Sequence, residues 1–129
     1  RAVWPLPERF HVSIHRYGNN TFKAPHSGFA NREDEIDTLF EIIGYRKFCV
    51  SECGFHMAPE RSWRTFLRTV RLSEQQHANY LRQEMLFWEH AGAEFACIFQ
   101  LNDGPTNQRE HRYGIRRFDG TWKPSASRL

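Results

Sequence analysis

Apolar and polar positions change period several times along the chain, and each change marks an element. From His11 to Tyr17 (HVSIHRY) Val12 and Ile14 alternate with Ser13, His15 and Tyr17, which is the period-two pattern of a strand, and Gly18-Asn19-Asn20 ends it. From Asn31 the period lengthens. Asn31 serves as a cap, Glu33 and Asp34 bring acidic charge to the first turn, and Ile36, Leu39, Phe40 and Ile43 fall on one helical face before Gly44 stops it. Lys47 to Glu52 (KFCVSE) is short and β-prone, closed by Cys53-Gly54, and predicts a second strand. Beyond a loop containing Pro59 and Trp63, Ser73 and Gln76 form a capping-box pattern. The helix it opens runs to about His90, with Ala78, Leu81, Met85 and Trp88 on one stripe. Glu94 to Leu101 (EFACIFQL) is almost continuously apolar, as expected of a strand covered on both faces, and Asn102-Asp103-Gly104-Pro105 terminates it.

The order β-α-β-α-β implies an α/β fold with a parallel sheet and right-handed crossovers. In such sheets function collects beyond the carboxyl ends of the strands. Polar groups gather there: His15 and Tyr17 after the first strand, Glu52 after the second, and Gln100, Asn102 and Asp103 after the third. Simple alternation puts His15 and Tyr17 on one face of their strand and Glu52 on the face that carries Val50, with Cys49 and Cys53 opposite. The closing stretch Tyr113 to Pro124, with its Asp119-Gly120 turn, predicts a short hairpin.

Composition narrows the functional classes. The 129 residues, 40% hydrophobic and 26% charged, suit one domain over 1–129. No apolar run approaches the roughly 18 residues of a membrane span, so a soluble protein is expected and membrane association is not. A net charge of +3 spread over scattered basic residues does not imply nucleic acid, although Arg64, Arg68, Arg71, Arg112, Arg116 and Arg117 stand among aromatics. Three cysteines suggest reduced, buried thiols rather than a disulfide framework. Cys49, Cys53 and His56 are close in sequence but lack the ligand number and spacing of a zinc site, so no metal is expected. His26, His77, His90 and His111 share no spacing and are assigned to the surface or to caps. No glycine-rich phosphate loop occurs, and no cofactor is expected. The first residue is Arg1 rather than Met, which is compatible with a processed, trimmed or partial chain. Eleven Phe, four Trp and four Tyr build either a bulky core or a surface on which flat ligands stack.

Glu52 is the sharpest chemical feature, because a carboxylate at the end of a buried strand must be solvated, paired or useful. His15 and Tyr17 are placed to donate hydrogen bonds that would keep such a carboxylate ionised and oriented. The bland reading is an ion pair between Glu52 and one of the many arginines.

These segments resemble, in order, the C-terminal part of retaining glycoside hydrolases of the (β/α)8 TIM-barrel superfamily, the cellulase-like clan A. His15-Arg16-Tyr17 resembles the His-x-Tyr element of the sixth strand, and Ser51-Glu52-Cys53-Gly54 the Ser/Thr-Glu-x-Gly element of the seventh. Phe99 to Gly104 is similar to the end of the eighth strand with its Asp-Gly turn, and Tyr113 to Ala126 to the closing segment. The resemblance implies a partial barrel corresponding to the sixth to eighth strands and an oligo- or polysaccharide substrate. It implies Glu52 as catalytic nucleophile, with Tyr17 hydrogen-bonding it and His15 contacting a substrate hydroxyl or the same carboxylate; Gln100, Asn102 and Asp103, gathered at the strand ends by the topology, are further candidates for binding substrate or orienting the nucleophile.

Two departures bear on activity. A barrel needs eight strands in about 250 residues, and three are legible here. The family's acid/base is the Glu of an Asn-Glu pair, and no Asn-Glu dipeptide occurs in the chain. The isolated chain is therefore expected to be inactive and to need a remaining barrel part or a second copy. The alternative is a non-catalytic α/β module that binds a carbohydrate or a protein.

Overall fold

The computed structural model describes residues 11–18, 32–44, 47–61 and 69–129. Asn31, His26, Trp63, Arg64 and Arg68, named above, lie outside them. Strand β1 (Val12–Gly18) leads to helix α1 (Arg32–Ile43) and strand β2 (Phe48–Phe55). A two-stranded antiparallel ribbon follows, β3 (Glu60–Arg61) with β4 (Thr69–Val70), then helix α2 (Glu74–His90) and strand β5 (Ala96–Ile98). The main sheet is parallel in the order β1-β2-β5, as the alternation of strands and helices predicts. The small ribbon carries no alternating pattern and falls in the stretch whose sequence predicts only a loop.

Both helices cover the same face of the sheet. Ile36 and Ile43 of α1 and Trp88 of α2 form one core cluster with Phe48, Val50 and Cys53 of β2, and Val12 and Ile14 of β1 pack against it. A second cluster, Phe55, Met57, Leu72 and Leu81, continues the core under the carboxyl end of β2. α2 begins as its sequence specifies: Ser73 accepts from the Gln76 backbone N–H while the Gln76 side chain accepts from that of Ser73.

Between α1, α2 and β1 lies a buried ion-pair network that no stripe of apolar residues announces. Arg32 grips Glu84 through two hydrogen bonds of 2.6 and 3.1 Å, Trp88 Nε1 donates to the same carboxylate at 2.7 Å, and Arg16 stands 3.8 Å from it. Arg16 also lies 3.6 Å from Glu35. Arg16 is thus committed to the helix side of β1.

Three sequence expectations are corrected. The third strand is shorter than Glu94 to Leu101 and only half covered, with Cys97 exposed rather than buried. All three cysteines are free; only Cys53 is fully buried, which pushes its thiol pKa up to about 12. His77, assigned to the surface or a cap, is completely buried, because α2 turns that side chain toward the end of β2. The closing segment does form a hairpin-like turn. Arg116 bridges Trp122, and Gly120 adopts φ +87° at the turn, a conformation that glycine reaches without strain.

Candidate functional site

The site forms on the sheet face turned away from the helices, at the carboxyl ends of the strands. Along β1, Ser13, His15 and Tyr17 point to that face because Val12, Ile14 and Arg16 are taken up by the helix side. Along β2 the alternation breaks. Ile14 pairs with Val50 but His15 pairs with Glu52, so Ser51 is an extra residue, a bulge in the ladder. The bulge resets the phase. Cys53 joins Phe48 and Val50 in the helix-side core, and Glu52 turns to the open face instead of sharing the Val50 face as simple alternation implies.

There Tyr17 donates its phenol O–H to Glu52 Oε2, and His15 Nδ1 lies 3.6 Å from the same oxygen. The Glu52 side chain is 36% exposed and that of His15 56%, so both can be reached by a ligand. Burial, then the Glu52 hydrogen bond and charge, raise the Tyr17 pKa well above its ordinary value of 10.0. The phenol therefore stays a donor across the neutral range. Among the described residues no arginine pairs with Glu52. The bland ion-pair reading belongs instead to Glu84.

Tyr17 is held by rings. Phe99 lies edge-on to it at 5.7 Å between centroids and Tyr113 at 5.4 Å, and Phe99 and Tyr113 meet each other at 5.5 Å. Gly54 makes room for this cluster: a Cβ there would collide with the Phe99 carbonyl oxygen and come within 3.2 Å of Tyr113 Cδ1. The glycine of the Glu-x-Gly element is thus required by close approach. Tyr113 was missed as a site residue; its only sequence signal is that it opens the closing segment.

The other expected site residues are used differently. Gln100 Nε2 donates to the Glu110 carbonyl at 2.8 Å, and Asn102 Oδ1 accepts from Arg116 Nε at 2.6 Å. Asp103 is buried, 2.8 Å from Lys123 Nζ and 3.4 Å from Arg112, and it accepts from the Gly114 backbone N–H at 2.9 Å. Asn102 and Asp103 bind the closing segment to the end of β5, and Gln100 ties that end to the short turn at Glu110. His15, Tyr17 and Glu52 come together; Gln100, Asn102 and Asp103 stand behind them. Among the described residues no group of three or more His, Cys, Asp or Glu could hold a metal ion, and no helix is long and apolar enough to cross a membrane.

No protein-family model and no curated protein sequence matches the chain. Solved structures do match. An active-site mutant of a β-1,3-glucanosyltransferase from Rhizomucor miehei, in complex with laminaritriose, superposes on 89% of this chain with TM-score 0.54 and 14% identity. An exo-β-1,4-mannosidase from Opitutaceae bacterium strain TAV5 superposes on 89% with TM-score 0.53 and 16% identity. The fold of this chain is similar to part of the barrel of these enzymes. The chain spans 41% of the glucanosyltransferase and 21% of the mannosidase. At these identities the likeness concerns the fold, a three-stranded α/β portion of TIM-barrel glycosidases.

Proposed function

We propose that this chain carries the nucleophile side of a retaining glycosidase that hydrolyses O-glycosidic bonds in an oligo- or polysaccharide. The observation that carries the reading is Glu52, an accessible carboxylate in the carboxyl-terminal half of the central strand, which runs on to Phe55, oriented by the neutral Tyr17 phenol. In the proposed reaction a Glu52 oxygen attacks the anomeric carbon as the glycosidic bond breaks. The departing oxygen takes a proton from a second carboxylic acid, and water then hydrolyses the glycosyl ester while that second group acts as base. Tyr17 holds the attacking carboxylate in line, and His15 contacts the same carboxylate or a substrate hydroxyl.

The second carboxyl group must stand about 5–5.5 Å from the first. Among the described residues nothing is assigned to that place. The reading therefore includes a remaining barrel part that brings the acid/base and completes the strand ring.

Two measurements test this. Aryl glycosides incubated with the chain alone are expected to remain intact; robust turnover abolished by Glu52→Gln would overturn the claim of incompleteness. The coding sequence upstream of Arg1 is expected to supply further strands. A 2-deoxy-2-fluoro glycoside with a good leaving group, given to the protein so encoded, is expected to label Glu52. A label on another carboxylate sinks the nucleophile assignment, and a start codon directly before Arg1 favours the binding module.

A further inference from the structure

Behind the Tyr17 ring, the loop after β5 and the closing segment meet in a buried, charged contact that a purely structural role explains poorly. The Asp103 and Lys123 side chains are 1% and 2% exposed and 2.8 Å apart. Burying such a pair costs desolvation that its attraction only partly offsets, so apolar residues would hold two segments together as well. What apolar residues could not do is grip the backbone of one residue on both sides of its Cα. Asp103 accepts from the Gly114 N–H at 2.9 Å, and Lys123 Nζ donates to the Gly114 carbonyl at 2.7 Å. Gly114 is pressed so closely onto Asn102 and Asp103 that a Cβ would strike their backbone. The residue before it is Tyr113, whose ring stands edge-on to Tyr17, Phe99 and His56.

We infer that the Asp103–Lys123 pair is a positioning clamp: by fixing Gly114 it seats the Tyr113 ring against Tyr17 and so keeps the Tyr17 phenol aimed at Glu52. This rests on Glu52 acting as the nucleophile, whose aim then depends on residues that never touch the substrate. Burial pushes the Lys123 pKa down, and the hydrogen bond and charge of Asp103 oppose that shift. A second tie between the closing segment and the body, Arg117 to Glu74 at 2.6 and 2.8 Å, involves none of these rings and provides the control.

The experiment is carbon NMR on the chain labelled at tyrosine Cζ and glutamate Cδ. As Glu52 gains a proton, Tyr17 Cζ shifts because the acceptor of its hydroxyl changes. In Lys123→Met this coupled response is expected to shrink by about half or more, whereas Glu74→Gln, which loosens the same segment elsewhere, keeps it. A folded Lys123→Met chain with an undiminished Tyr17 response overturns the clamp. Should Lys123→Met fail to fold, Tyr113→Leu takes its place, with loss of the response supporting the clamp and retention overturning it. The readout requires no sugar. A fluorosugar on another carboxylate, with the response lost in Lys123→Met, therefore defeats the nucleophile reading alone, and a fluorosugar on Glu52, with that response undiminished, defeats the clamp alone.

Discussion

A carboxylate held by a phenol differs from one held by a cation: the hydrogen bond orients it without neutralising its charge, and an attacking group needs that charge. Tyr17 can serve because burial and the neighbouring Glu52 keep it protonated. Replacing it tests how much the orientation contributes. On the proposed reading, Tyr17→Phe in the protein that the full coding sequence encodes is expected to lower kcat about 10- to 100-fold with little change in KM, the size of a lost hydrogen bond to a charged group. Steady-state hydrolysis of an aryl glycoside measures it, and an effect confined to KM would count against the assignment. At this scale the period-two rule was enough for His15 and Tyr17, whose strand alternates without interruption up to them. It failed for Glu52, because the bulge at Ser51 depends on how β2 pairs with β1 and leaves no mark in the local pattern.

Among the elements, α2 shows both what periodicity can do and where it stops. Its capping box and the buried Ala78, Leu81 and Trp88 follow directly from residue type and spacing. Glu84 and His77, equally buried, do not, because charge and polarity predict exposure unless a partner is known. The partners of Glu84 are Arg32 and Arg16, far away in sequence and brought in by α1 and β1. His77 is buried beside the Phe55 carbonyl, with Lys123, Asp103 and Glu74 acting on it, and burial followed by the Lys123 charge lowers its pKa to about 4. The sign follows from the depressed value. The unfolded chain binds the proton near pH 6.5 and the folded one only near 4, so this stabilisation is full above 6.5 and is lost as pH falls toward 4. The loss is on the order of 3 kcal/mol. Urea unfolding of His77→Leu between pH 7 and pH 4 is expected to show a shallower acid decline than the parent; equal slopes would show that His77 is not the titrating group.

For the molecule as a whole, the decisive fact is that both helices lie on one face of the sheet. Among the described residues β1 and β5 each pair only with β2, and the site face carries Ser13, His15 and Glu52 with no layer over it. Beside β5, Phe95 and Leu101 are 54% and 53% exposed. An open strand edge flanked by such residues invites pairing with another chain. Phe95→Lys combined with Leu101→Lys is expected to reduce self-association in sedimentation experiments while leaving the far-ultraviolet circular dichroism unchanged; undiminished association would place the sticky surface elsewhere. The order of strands and helices, the helix caps and the sequence elements at the strand ends were all written in local residue patterns, since hydrophobic period and capping chemistry act over a few residues. The phase of Glu52, the burial of Arg16, Glu84 and His77, the close approach that requires Gly54, and the use of Asp103 and Lys123 on Gly114 were decided only by tertiary structure. Each depends on a partner dozens of residues away or on a neighbouring segment's backbone, and no local pattern encodes a partner that only folding brings near.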